Sequence, residues 1–346
     1  MQNKSLFGNG RCCILAEVGN THEGSLGLAH SFIDAVAKTG ANGIKFQTHI
    51  AEAESTVSEP FRVKFGTQDR TRYDYWKRME FSEDQWRELA RHARERGLLF
   101  VSSPFSIEAV DLLERVEVPV WKIASGEAVD SMLLDRVLHT GLPVLVSTGL
   151  ISLEELDEVI SRIKQSGSLV GVLQCTTMYP CPPERIGLNL IEFFRDRYEC
   201  PVGLSDHSGT IFPGLAAATI RADILEVHVT LSREMFGPDI RASVTTDELR
   251  QLVEGVRFVE TMLDSPVVQD ASTDEVRGLR QLFTKSVVAS HSLKSGTVLT
   301  ASDLSTKKPG GGFPPEALKT LIGRRLCCDL EPDTVLKAEH LKVHED

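Results

Sequence analysis

The stretch CCILAEVGNTHEGSLGLAHSFIDAVAKTGANGIKFQ (Cys12–Gln47) decides how the rest of the chain is read. It opens with a short apolar and β-branched run, Cys12–Gly19, closed by a glycine, which is the pattern of a buried strand. Leu26–Thr39 follows, with apolar residues at helical spacing, and Gly43–Gln47 is a second short strand. Strand, helix and strand in this order form the βαβ unit of a parallel sheet.

The unit repeats outward from there. Further strands are expected at Leu98–Pro104, Val120–Ala124, Pro143–Gly149, Val170–Cys175, Pro201–Asp206 and Ile224–Thr230. Helices are expected at Ser82–Arg96, Ile107–Arg115, Met132–Thr140, Leu153–Ser166, Ile186–Tyr198, Pro213–Arg221 and Thr246–Leu263. In one of them the apolar stripe runs Leu153, Leu156, Val159, Ile160 and Ile163. Ser82 and Ser152 each precede an acidic first turn, as N-caps do. Eight such units over residues 1–265 match a (β/α)₈ TIM barrel. A doubly wound open sheet is the competing architecture. Thr48–Glu80 interrupts the pattern with charge and aromatics, and reads as a functional lid or a disordered insert. Residues 266–281 are polar, carry Pro266 and read as a linker. Residues 282–346 show short strand runs between turn signals, the pattern of a small mostly-β domain. The run Gly310–Gly312 lacks a following Lys-Ser/Thr and reads as a flexible loop, not a P-loop.

Composition narrows the function. Of 346 residues, 25% are charged and 41% hydrophobic, which excludes disorder and a disulfide scaffold. Lys+Arg is 38 and Asp+Glu 49, so the net charge is −11. Nothing in that balance favours nucleic acid or an anionic membrane surface, and an anionic metabolite would need locally concentrated positive charge. The seven cysteines are odd in number, include two adjacent pairs and form no C-x-x-C, which suggests a reducing compartment. No signal peptide and no membrane-length apolar run stand out, so a cytoplasmic location is expected.

Barrel chemistry gathers at the C-terminal ends of the strands. Those ends carry Glu17; Lys45 and Gln47; Ser103; Lys122, Ser125 and Glu127; Ser147; Cys175 and Thr177; Asp206 and His207; Glu226 and His228. Ions inside otherwise apolar strands are costly unless paired, so the set as a whole points to a polar mouth. Any single member has an ordinary structural reading. Lys122 could simply pair with Glu17 or Glu226, and a lone serine at a strand end is most often a turn residue. Lys45 and Lys122 among hydroxyls suit a phosphate or carboxylate. His207 and His228 could hold a divalent metal, with Glu17 or Asp206 near, although their spacing is not that of an H-x-x-x-H pair.

Several motifs together resemble one family. AEVGNTHEGSLGLAHSFIDAVAKTGANGIKFQT (Ala16–Thr48), VSSPFS (Val101–Ser106), WKIASGE (Trp121–Glu127), PVLVSTG (Pro143–Gly149), QCTTMYPCPPE (Gln174–Glu184), GLSDHSG (Gly203–Gly209) and EVHVTLSREMFGPDIRAS (Glu226–Ser243) are similar to the sialic acid synthases, including those of spore coat polysaccharide synthesis. KSVVASHSLKSGTVLTASDLSTKKPGGG (Lys285–Gly312) resembles the SAF, or antifreeze-like, domain that ends them. The resemblance implies a TIM barrel followed by a SAF domain. It implies condensation of phosphoenolpyruvate with an N-acylated amino-sugar aldehyde, N-acetylmannosamine or a relative, to a nonulosonic acid and phosphate. It also implies a divalent metal, Mn²⁺ or Mg²⁺, and a domain-swapped homodimer. Carried over by residue, Lys45, Lys122, Ser103, Ser125 and Ser147 hold phosphoenolpyruvate, with Gln47 beside them. His207 and His228 bind metal, Glu17 and Glu127 lie near the reacting centre, and Tyr179 and Asp239 face the sugar.

The chain departs from the family pattern at Thr21, Thr177, Ile240 and Lys308, the last standing where an arginine usually reaches the acceptor. These departures suggest acceptor contacts that differ from those for plain N-acetylmannosamine. Two other functions compete: a Schiff-base aldolase using Lys122, and a carbohydrate-binding relative without turnover.

Overall fold

A computed structural model describes residues 10–61, 66–267 and 273–342. Within them the chain divides into two compact units, residues 1–266 and 267–346.

The first unit is a closed barrel of eight parallel strands. They are β1 (Cys13–Gly19), β2 (Gly43–Thr48), β3 (Leu99–Pro104), β4 (Trp121–Ile123), β5 (Val144–Ser147), β6 (Val170–Cys175), β7 (Val202–Asp206) and β8 (Ile224–Thr230). Each pairs with the next, and β1 pairs with β8 to close the ring. Closure excludes the open sheet. A two-residue strand, β9 (Val244–Thr245), pairs beside β8 and is too short to leave a sequence signal.

Two apolar regions hold the barrel. Inside, Leu15, Val101, Val120, Leu145, Leu173 and Ile224 fill the floor. Outside, strand residues such as Ile14, Phe46 and Val172 pack under the helices. The inner filling alternates large with small. A Cβ on Gly43 would lie 2.8 Å from Leu15 Cδ2, and one on Gly171 would lie 2.7 Å from Leu145 Cδ2. Helix starts follow the sequence: the Ser82 and Ser152 hydroxyls accept from the N–H groups of Gln85 and Glu155, whose side chains bond back in full capping boxes. Leu156, Val159, Ile160 and Ile163 are buried as their spacing predicts, whereas Leu153 at the helix start faces solvent.

The Thr48–Glu80 connection has secondary structure of its own, unlike a disordered insert. It contains helices Ala51–Glu54 and Arg72–Met79, the second opened by a Thr71–Asp74 capping box. Residues 62–65 lie outside the described residues. Among the described residues no helix is long and apolar enough to cross a membrane.

The second unit contains an antiparallel pair, β10 (Ser286–Ala289) with β11 (Leu304–Lys307), around Val287, Leu299, Leu326 and Leu336. Within the stretch expected as a linker, Asp274–Phe283 is a helix capped by Thr273. The glycine run is not a loose loop either. Gly310 N–H donates to Gln281 O at 2.7 Å, and a Cβ on Gly312 would sit 2.5 Å from Leu336 O. Glycine stands there because the backbone packs too closely for any side chain.

At Gly203 on β7 an added Cβ would strike the Ile224 carbonyl of β8 and lie 2.9 Å from Leu173 Cδ2. Gly203→Ala is expected to cost about 3 kcal/mol, because backbone cannot step aside as a side chain can. Gly27→Ala, in a helix with open space around it, should be neutral or stabilising by up to about 1 kcal/mol. Thermal unfolding of the two variants checks the contrast.

Candidate active site

Strand register builds the site. Glu17 on β1 is aligned with Lys45 on β2 and with His228 on β8, Gln47 is aligned with Ser103, and Ser205 with Glu226. These polar residues stand one layer above the apolar floor, at the C-terminal mouth.

A chain of buried charges crosses the mouth. Lys45 Nζ lies 2.6 Å from Glu17 Oε2 and 3.5 Å from Glu226 Oε1, and Lys122 Nζ lies 3.8 Å from Glu226 Oε2. All four side chains are at most 4% exposed. Lys122 also donates to Ser147 Oγ at 2.8 Å, Gln47 Nε2 to Glu17 Oε1 at 2.8 Å, and Ser205 Oγ to Glu226 Oε1 at 3.2 Å. Glu226 thus bridges the two lysines. The sequence shows it two residues before His228 on the same strand face, but nothing there ranks it above its neighbours.

The lysines differ. Burial works to lower both ammonium pKa values. At Lys45 the close Glu17 and then Glu226 outweigh burial, and its pKa is raised. At Lys122 burial wins over the more distant Glu226, and its pKa is lowered. Burial would raise the Glu226 carboxyl, but Lys122 and Lys45 hold it at about 2.

His207 and His228 come together with ring centroids 5.1 Å apart, and Tyr179 lies 4.2 Å from the first ring and 5.8 Å from the second. Burial is the main reason each imidazole is held down, to about 3, so both are neutral bases near pH 7. His207 Nδ1–H donates to Thr176 O at 2.9 Å, which fixes its tautomer and leaves the Nε2 lone pair. His228 Nδ1 is buried without a hydrogen-bond partner among the described residues. Two neutral imidazoles, one with its tautomer set and one with an orphaned nitrogen, fit a divalent cation as nitrogen donors. No group of three or more His, Cys, Asp or Glu converges among the described residues, so the protein would supply two ligands and leave positions open. Asp206 is not a third: its carboxylate takes the Ser208 N–H and hydroxyl of its own turn.

The remaining predicted residues distribute as follows. Ser103 Oγ is buried at the mouth with no hydrogen-bond partner among the described residues. Ser125 Oγ lies 3.4 Å from Thr177 Oγ1. Gly19 has φ +53°, and a Cβ there would fall 3.1 Å from Asp239 Oδ2 and 3.5 Å from Gln47 Nε2 and from Glu17 Oε1, so Asp239 converges on the same corner. Glu127 stands on the turn after β4, where burial and then Glu54 push its carboxyl up to about 7 against the pull of Lys122. Lys308 belongs to the second unit, with its Nζ 5.6 Å from the Phe283 ring centroid. Two of the sequence departures are buried: the Thr21 hydroxyl donates to Val18 O at 2.6 Å, and Ile240 lies in a short 3₁₀ turn.

The chain matches a family model described as the NeuB family over residues 32–267, and one described as the SAF domain over residues 284–342. It is 33% identical over 339 residues to the N-acetylneuraminate-9-phosphate synthase of Homo sapiens, covering 96% of this chain and 93% of that protein. It is 31% identical to the N,N'-diacetyllegionaminic acid synthase of Legionella pneumophila, covering 96% and 95%. A solved structure of an N-acetylneuraminic acid (sialic acid) synthetase from Leptospira borgpetersenii, in complex with citrate, superposes with a TM-score of 0.68 at 30% identity, covering 79% of this chain and 92% of that one.

The buried groups set opposite pH responses. His207 and His228 titrate near 3 when folded, against an ordinary value of 6.5, so their contribution to stability is lost as pH falls through that window. Glu127 keeps its proton to about 7 when folded, against 4.5, so stability falls as pH rises from about 4.5 to 7. Glu127→Gln is therefore expected to be more stable than the parent at pH 7.5, with the advantage vanishing below about pH 4.5. Denaturant unfolding of both proteins across pH measures it, and a gap that stays constant with pH contradicts it.

Proposed function

The chain belongs to the NeuB family, and on that footing we propose that it is a nonulosonic acid synthase joining phosphoenolpyruvate to an N-acylated amino-sugar aldehyde, with release of phosphate. The reading rests above all on the charge array: two lysines from different strands, held by Glu17 and Glu226, open onto the same mouth as two neutral imidazoles. The proposed product is a sialic-acid-like building block for surface polysaccharide. A homodimer is the proposed assembly.

Each group has a distinct part in this reaction. Lys45 and Lys122, with the Ser147 and Ser103 hydroxyls, hold the anionic ends of phosphoenolpyruvate by charge-assisted hydrogen bonds. Ser125 and Thr177 extend that hydroxyl set along the rim. Tyr179 and Asp239 flank the remaining opening, where the sugar would lie. His207 and His228 are the proposed ligands of a divalent cation, Mn²⁺ or Mg²⁺, which when bound would polarise the sugar's aldehyde oxygen as a Lewis acid. The enol carbon would then form its bond to the aldehyde carbon, whose oxygen takes up a proton as its π bond opens, and water would add to the carbon that still bears the phosphate ester oxygen. Loss of phosphate by carbon–oxygen cleavage leaves the 2-keto acid. Glu17 or Glu127 takes the proton from that water, and the lysines offset charge on the departing phosphate.

A second reading has one specific observation behind it. The lowered pKa of Lys122 also suits a Schiff-base nucleophile. The two chemistries separate cleanly. The protein is incubated with phosphoenolpyruvate, Mn²⁺ and a panel containing N-acetylmannosamine, its 6-phosphate and deoxy di-N-acylated amino sugars. The synthase reading expects phosphate release matched to new product mass, with ¹⁸O from the bridging position of phosphoenolpyruvate recovered in phosphate. A chelator should stop turnover, and Lys122→Ala should lower kcat/KM by about 10³-fold or more. Borohydride with pyruvate should trap no adduct. A trapped adduct on Lys122 with metal-independent turnover would replace this reading with the aldolase. Sugar binding without phosphate release would leave the relative without turnover.

A further inference from the structure

His49 has no part in the chemistry above, yet its ring is held on every side. It is 3% exposed and follows Gln47 by two residues. One face stacks on Trp76 at 4.0 Å and 15°, the other on Phe105 at 4.5 Å and 15°. Nδ1 lies 2.8 Å from Glu54 Oε1, and Nε2 lies 3.3 Å from Gln47 Oε1. Trp76 is fixed in turn, its Nε1–H donating to Glu59 Oε2 at 3.2 Å while the Arg72 guanidinium lies 4.9 Å from its ring centroid.

The polarity of the Gln47 amide follows from its neighbours. The Glu17 carboxylate can only accept, so the Gln47 Nε2 group faces it, at 2.8 Å. The amide oxygen then points the other way, accepts from Asn20 Nδ2 at 3.2 Å and faces His49 Nε2 at 3.3 Å, which donates to it when that ring nitrogen carries the hydrogen. Turning the amide over would set oxygen against carboxylate on one side and donor against donor on the other. His49 therefore helps choose the amide orientation that gives Glu17 its neutral donor, and so aims the carboxylate that pairs with Lys45.

We propose that His49, clamped between Trp76 and Phe105 and anchored by Glu54, is a positioning residue that orients Gln47 and through it the Glu17–Lys45 pair. The inference rests on the synthase reading for its kinetic consequence, though not for its geometry. It also gives the Thr48–Glu80 connection a purpose, because Trp76 and Glu54 of that connection hold the ring that orients Gln47 and through it Glu17. The competing account is that His49 is aromatic filling.

Three variants separate the contacts. In H49Q the amide nitrogen falls near the place of Nε2 and keeps a donor for Gln47. In H49N it falls near Nδ1 and keeps only the link to Glu54. H49F keeps the stack alone. H49F and H49N are expected to lower kcat by about tenfold, with KM for phosphoenolpyruvate within about threefold, because displacement of a reacting group acts on the chemical step. H49Q should restore kcat to within about threefold of the parent. In a Gln47→Met background H49F should add nothing further, as expected for residues acting in series. Full activity in H49N, failure of H49Q to recover, or additive losses in the double variant would overturn the proposal. Should the parent release no phosphate with any acceptor, the synthase reading fails by itself. Crystal structures of H49F and H49Q then decide the inference: Gln47 Nε2 is expected to leave Glu17 in H49F and stay in H49Q, and a Gln47–Glu17 bond that persists in H49F overturns it.

Discussion

Two ammonium groups and two carboxylates, buried together at one end of a closed barrel, constrain everything around them. Ions removed from water must be paired at close range. Here the pairing is possible only because β1 meets β2 and β8 in registers that bring Glu17 beside Lys45 and let Glu226 reach both lysines. A shift of one residue on any of these strands would turn its ion out toward the helices, into apolar packing. The apolar floor below and the helix jacket outside must hold that register against the cost of the charges. The inward glycines serve the same end by letting Leu15 and Leu145 fill the floor without spreading the strands.

The barrel itself is legible in the sequence because its signals are local and repeated. Strands buried on both faces read as short apolar runs, and each helix carries its own cap and stripe. The strand limits at Val170–Cys175 and Ile224–Thr230 agree to the residue. The candidate site is legible for a different reason. A lysine in VWKIAS or a histidine in ILEVHVT is out of place by composition, and period-two alternation says which of these out-of-place residues face inward together.

What sequence does not yield depends on contacts between distant segments. Glu226 reads from sequence as one of two possible partners for Lys122, and its bridging of Lys45 as well shows only when β2 and β4 come together around it. His49 looks like a loop residue until Trp76 and Phe105 close on it. Gly310–Gly312 reads as slack because glycine signals both freedom and close approach, and only the packing of Gln281 and Leu336 tells which.

Charge balance carries the last step. Lys45 and Lys122 are offset by Glu17 and Glu226, and the two imidazoles are neutral because burial holds them so. The two lysines are therefore already balanced by the two glutamates as built. A multiply charged anion entering alone would leave the site with a net negative charge in a medium that screens poorly. A divalent cation entering alone would meet two neutral nitrogens and two already occupied carboxylates, which is a weak site. On the proposed reading the two entering together would offset one another, and each would find partners the other does not use: hydroxyls and ammonium groups for the anion, imidazoles for the cation. On that reading, joint occupation would be favoured over either ion alone, and the array would act as one site for an ion pair rather than as two sites side by side.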